Sequence, residues 1–200
     1  MERRSANTMK KYSVLTLVCF GLAAELASAG DYSPILEGGL EFYTGDPAKS
    51  NSGAQGYVVS LSAEKKREFI RYNVAAEFQY SSGTAMLAGA TPSYTLYGTA
   101  FALGAHFVFM SDNKFQPFVG GEGVFGWHFL KMPAPPSGID INTSGLSYGY
   151  EVTAGCDLRL WSTDGRALRL RGGYWAVKSQ IANQSGFDLT GFRFTIGVVY

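Results

Sequence analysis

Phe115 to Lys131 reads FQPFVGGEGVFGWHFLK, and its two parities differ in kind. Phe115, Pro117, Val119, Gly121, Gly123, Phe125, Trp127 and Phe129 are apolar or tiny. Gln116, Phe118, Gly120, Glu122, Val124, Gly126 and His128 include every polar group of the stretch except its last lysine. Successive side chains of a strand point to opposite faces, so the alternation predicts one long strand with an apolar and a polar wall. Its length is about three times that of an ordinary globular strand. A tilted strand takes roughly 9–11 residues to cross a hydrocarbon layer and then runs on past it, which accounts for the reach.

The same two-faced pattern recurs, predicting strands over 34–44, 56–63, 68–81, 93–110, 115–131, 145–160, 167–181 and 187–200. No segment sustains a 3.6-residue period with caps. Glu64–Arg67, Ser111–Lys114 and Trp161–Arg166 read as short polar turns. They alternate with the longer segments 44–55, 82–92, 132–144 and 182–186. Short turns at one end and longer loops at the other are the connections of a bacterial outer-membrane barrel. Eight strands put both termini at the short-turn end, which in such a barrel faces the periplasm.

A soluble eight-stranded barrel turns its apolar face inward. Here the apolar parity carries large side chains, such as Leu36, Leu40, Phe42, Tyr72, Phe78, Leu103, Phe107, Tyr148 and Tyr150. The polar parity is crowded with small ones, such as Gly39, Ala75, Gly98, Gly104, Gly120, Gly149 and Gly197. Water has no need of smallness, whereas the bore of an eight-stranded barrel is just wide enough for side chains. Lysine is nearly absent from strand interiors. The expected fold is therefore all-β, an eight-stranded antiparallel up-and-down transmembrane β-barrel with the apolar wall outside.

A basic start, the apolar run Val14–Ala24 and the small-x-small Ala27-Ser28-Ala29 form the tripartite pattern of a secretory signal. Residues 1–29 are read as a cleaved signal peptide, starting at Met1 or Met9, and 30–200 as the barrel domain in the bacterial outer membrane. Tyr80, Trp127, Trp161 and Tyr174 are placed at the membrane interfaces, where amphipathic rings settle. The near-neutral charge balance gives no support for nucleic-acid binding, and no nucleic-acid partner is expected. Only His106 and His128 are available in the mature chain, and the acids lack calcium-loop spacing, so no metal and no cofactor is expected.

The polar parity gathers Glu37, Glu41, Glu77, Glu122, Glu151 and Asp157 against Arg71, Arg159, Arg169, Arg171 and Arg193. An unpaired buried charge is costly, so these six acids and five guanidiniums are expected to form an ion-pair network filling the bore. Strand order suggests Arg193 near Glu37 and Glu41, and Asp157 level with Arg171. Catalytic residues are not expected: His106 and His128 fall toward opposite ends, and no His-x-Ser pair shares a strand face, although His128 is within reach of Ser147 on the next strand.

Lys114 to Gly126, KFQPFVGGEGVFG, resembles a central strand of small outer-membrane β-barrel proteins related to the OmpA transmembrane domain and OmpX. The alternating row Phe192, Phe194, Ile196, Val198 and Tyr200 looks like the C-terminal assembly signal of outer-membrane proteins. The resemblance implies an outer-membrane location, contact with outer-membrane lipid and insertion by the barrel-assembly machinery. Members include structural tethers, adhesion and defence proteins and occasional small pores. The expectation is thus a non-catalytic structural or surface-interaction barrel, with 44–55, 82–92 and 132–144 open to an extracellular partner. The alternatives are a narrow solute channel and, third, a lipid-modifying enzyme.

Overall fold

The computed structural model describes residues 32–46, 55–84, 93–110, 113–132, 141–160, 166–181 and 187–200. The segment read as a signal peptide, most of each longer loop and Trp161 lie outside them. Strands β1 (Ser33–Tyr43), β2 (Gln55–Arg67), β3 (Ile70–Thr84), β4 (Ser93–Val108), β5 (Phe115–Met132), β6 (Ile141–Leu158) and β7 (Ala167–Ser179) follow one another, each pairing antiparallel with the next. The last stave comprises β8 (Phe187–Asp188) and β9 (Gly191–Val199). Both keep one register against β7, Lys178↔Asp188 and Trp175↔Gly191, so they are one strand interrupted at Leu189 and Thr190. The interruption arises where the end of β1 folds over it: the Thr44 and Gly45 amides both donate to the Thr190 carbonyl. β9 also pairs with β1, which closes the sheet into an eight-stranded barrel.

Following hydrogen-bonded neighbours once round from Ser33 visits Glu64, Asn73, Gly104, Glu122, Glu151, Trp175 and Gly191 and returns at Tyr43, ten residues along β1. With roughly 3.3 Å per residue and 4.8 Å between strands, that stagger tilts the strands by about 41° and gives a backbone radius of about 8 Å. Each residue then climbs about 2.5 Å along the axis, so a hydrocarbon layer of about 25–30 Å takes about 10–12 residues of each strand. The strands are long enough to do this.

Side chains alternate across the wall as the parity predicts. Leu40, Phe42, Tyr72, Phe78, Leu103, Phe125, Tyr148 and Tyr150 are exposed outside. The closing seam is zipped by outward aromatic pairs, Phe42–Phe194 at 6.2 Å and Tyr174–Phe192 at 5.4 Å between ring centroids. Inside, glycines admit the bulk of neighbours: Gly98 and Gly120 lie against the rings of His128 and His106, where a Cβ would collide.

The strand ends differ from the sequence reading at two functionally relevant places. β2 runs to Arg67, so Glu64 is a buried strand residue and not part of a turn. The turn is instead Glu68–Phe69, with Glu68 at φ 50°, a backbone suited to a two-residue hairpin. β6 ends at Leu158, which leaves Arg159 exposed beyond the bore despite its inward parity.

Candidate functional site: the charged lumen

The tilted rows bring inward residues of non-adjacent strands to common heights, and the charges meet there in tiers. Nearest the short-turn end, Arg169 uses its whole fork. Its Nη1 and Nη2 donate to both oxygens of Glu64 at 2.7 and 2.8 Å, and its Nε donates to Asp157 Oδ1 at 2.7 Å. Arg71 donates to the other oxygen of Asp157, and to Gln116 Oε1 at 2.6 Å. The Arg169 guanidinium lies 4.9 Å from the centroid of the inward ring of Phe118.

His106 links this tier to the next. Its Nδ1 lies 3.0 Å from Glu64 Oε1 and its Nε2 lies 2.9 Å from Glu122 Oε1. A neutral imidazole has one N–H, so both contacts are hydrogen bonds only when the ring carries two protons. Glu122 also accepts from Asn73 Nδ2 at 2.9 Å and Arg171 Nη1 at 3.3 Å. Arg171 continues to Glu151 at 3.1 Å and comes within 3.6 Å of Glu37.

Arg193 binds the upper tier. Its Nη2 donates to Glu41 Oε1 at 2.7 Å, and its Nη1 donates to Glu77 at 2.8 Å and Glu151 at 3.0 Å. Tyr43 donates to Glu41 at 2.8 Å. The Arg193 guanidinium is 4.6 Å from the centroid of the Trp175 ring, which is fully buried across the bore. Glu77, Glu122 and Glu151 offer oxygens within 4.8 Å of one another. Arg193 bridges Glu77 to Glu151 and Arg171 bridges Glu151 to Glu122, so the trio is a salt-bridge node.

Above Trp175 the polar chain ends in His128. Gln79 donates to Glu77 through its NH₂, so its Oε1 accepts from His128 Nε2 at 2.7 Å. That leaves His128 Nδ1 to accept from the Ser147 hydroxyl at 2.8 Å. The serine and histidine are both buried, with Val177 and Leu189 packed in the same cluster and Leu96, Leu130, Met132 and Ile181 lying above them.

Ten of the eleven charged residues named from the sequence thus stand inside the barrel. Arg159 is the exception: its amide donates to the Lys114 carbonyl beyond the strand end and its side chain is exposed. Two pairings also change. Asp157 faces Arg169 in register and binds it, not Arg171, and Arg193 reaches Glu77 and Glu151 as well as Glu41. Glu64 and His106 were the missed members. Glu64 sits beside three basic residues and reads as a turn, although its parity with Ser60 and Ser62 pointed inward. The inventory among the described residues becomes seven carboxylates against four guanidiniums and His106. With His106 doubly protonated, two negative charges remain over.

Tyr80 and Tyr174 are exposed on the outer wall, and Trp127 faces outward, half-buried. Phe192, Phe194, Ile196, Val198 and Tyr200 all lie on the outward parity of the closing stave. The chain has no helix long and apolar enough to cross a membrane among its described residues, which says nothing of its strands.

No protein-family model matches the chain, and no curated protein does. Solved structures similar to it include Neisserial surface protein A, at 16% identity and a TM-score of 0.47, covering 84% of this chain and 94% of that one. The N-terminal β-barrel domain of OprF from Pseudomonas aeruginosa is 10% identical with a TM-score of 0.42, covering 84% and 96%. The attachment invasion locus protein Ail of Yersinia pestis, solved with the heparin analogue sucrose octasulfate, is 12% identical with a TM-score of 0.43, covering 84% and 96%. What the chain is rests on its own strands: a closed, eight-stranded, antiparallel up-and-down β-barrel with an apolar outer wall and a salt-bridged interior.

Proposed function

We propose that this protein is a non-catalytic barrel of the bacterial outer membrane that holds its longer loops at the cell surface for a structural or surface-interaction role. One observation carries the reading: large apolar side chains cover the outside of a closed barrel whose charges are shut inside. In water that wall would be a continuous aggregation patch, whereas in hydrocarbon it is the solvated face. The salt-bridge column and the buried Trp175 ring support a sealed scaffold over a narrow channel. Residues 44–55, 82–92 and 132–144 are the surface offered to an extracellular partner. The short-turn end faces the periplasm, from which the assembly machinery would receive the C-terminal row.

Two measurements test this. Unheated protein in detergent should migrate differently from boiled protein on a gel, and full solubility without detergent together with no shift would end the membrane reading. In planar bilayers the purified barrel should show no steady conductance. Steady ion flow that changes with Arg193→Ala or Glu122→Ala would replace the sealed scaffold with the channel.

A further inference from the structure

The outer wall between β4 and β7 has a hollow. Gly121 and Gly123 follow one another on the outward parity of β5, and Ala105 of β4 pairs with Gly121. Leu103, Phe125, Tyr148 and Tyr150 stand around Gly123, with Leu103 61% and Phe125 56% exposed. They enclose a groove of about 720 Å³ that reaches Ala176 and Lys178 on β7.

Packing does not force the hollow. A Cβ on Gly39, Gly104, Gly149 or Gly197 would drive into the backbone of a neighbouring strand. On Gly121 and Gly123 it would meet nothing nearer than carbonyl oxygens at 3.7 and 3.8 Å, an ordinary contact. Side chains there would fit, and strands favour larger residues. Gly38 on the opposite wall is equally open but stands alone.

The groove's dimensions and charge select an occupant. Phe125, Tyr148 and Lys178 are neighbours in one hydrogen-bonded row, which climbs toward the long-loop end. From Gly123 to Lys178 the rise along the axis is about 11 Å, most of the hydrocarbon depth of one leaflet. Lys178 is the single charged residue of the lining, and it enters no ion pair among the described residues; its register partner Asp188 turns one carboxylate oxygen to the Thr190 amide instead. We propose that the groove holds one acyl chain of an anionic lipid in the leaflet at the long-loop end, with the lipid phosphate on Lys178. This rests on the membrane reading above.

The test uses the full chain folded into phosphatidylcholine vesicles containing a minor fraction of phosphatidylglycerol. The protein is then extracted into mild detergent, and native mass spectrometry counts the lipids it keeps. Wild type should keep one phosphatidylglycerol in preference to phosphatidylcholine. Gly123→Leu, which fills the groove with a residue strands favour, should lose it. Lys178→Gln should lower the preference for the anionic lipid about fivefold, the effect of one lysine near a membrane surface. Equal retention by wild type and Gly123→Leu, or no preference for the anionic lipid, would overturn the proposal. So would wild-type dimers that Gly123→Leu dissolves, since a second copy would then be the occupant. Each protein is first checked for the heat-dependent gel shift. Failure of wild type itself to insert would fell the membrane reading, whereas an inserted wild type that keeps no lipid would fell only the groove.

Discussion

Replacing Arg193 with methionine keeps the volume of the side chain and removes the charge that holds three acids. Arg193 is 1% exposed and donates to Glu41, Glu77 and Glu151. Glu151 retains Arg171, and Glu41 retains the Tyr43 hydroxyl, but their shared counter-ion is gone. Breaking a buried pair from one side costs about 3–5 kcal/mol. An independent route gives a similar figure. The cheapest repair is for one orphaned glutamate to take up a proton, and from an ordinary pKa of about 4.3 this costs about 3.7 kcal/mol at pH 7. The two routes agree on a loss of about 4 kcal/mol. The second adds a signature, because each unit of pH below 7 makes that proton about 1.4 kcal/mol cheaper. The gap between wild type and variant should therefore be widest at pH 7 and above, and shrink toward pH 5. Urea unfolding of barrels in lipid vesicles, followed by the gel shift at pH 5, 6, 7 and 8, measures both. A loss under about 1 kcal/mol, or a gap that does not move with pH, would refute the account of Arg193 as the counter-ion of the upper tier.

Arg159→Ala should change stability by less than about 0.5 kcal/mol in the same assay, because that side chain is exposed beyond the strand end. Arg169→Ala should cost at least about 3 kcal/mol, since it removes the guanidinium that Glu64 and Asp157 share and leaves them only Arg71 and His106. A large effect at Arg159 would show that it belongs inside the network after all. Gly98→Val places a side chain against the His128 ring and should destabilise by about 1–3 kcal/mol. The companion change His128→Ala should recover part of that loss in a double-mutant cycle.

Parity was the legible part of this chain. The alternation of Phe115–Lys131 assigned Glu122 to the bore and Phe125 to the outer wall, and both stand there. Partners were harder to read, because a sequence carries no stagger. Asp157 and Arg171 share the inward parity of adjacent strands, yet the register sets Asp157 opposite Arg169, one pleat away. Strand ends were harder still. Arg159 and Glu64 both lie where parity and turn chemistry compete, and a hydrogen-bonded ladder decides each case, against Arg159 and for Glu64. The pairing of Ser147 with His128 could be anticipated from neighbouring strands, but its burial under Leu96 and Leu130 follows only from how the long-loop end closes.

The ten-residue advance around the wall, with every second residue facing in, makes the interior a screw of five parallel threads, and Glu64, Asn73, Gly104, Glu122, Glu151 and Trp175 are successive points on one of them. Arg169, Arg171 and Arg193 stand on the other threads and reach across to this one like rungs. A thread has one pitch. Adding or removing residues between Asn73 and Glu77, or between Arg169 and Trp175, would offset everything above the change relative to everything below it, and every rung crossing that level would lose its partner together. Point changes on the thread are absorbed locally. Insertions are absorbed only where the thread has run out, in the segments beyond the strand ends, so these are the places where this chain is free to vary in length.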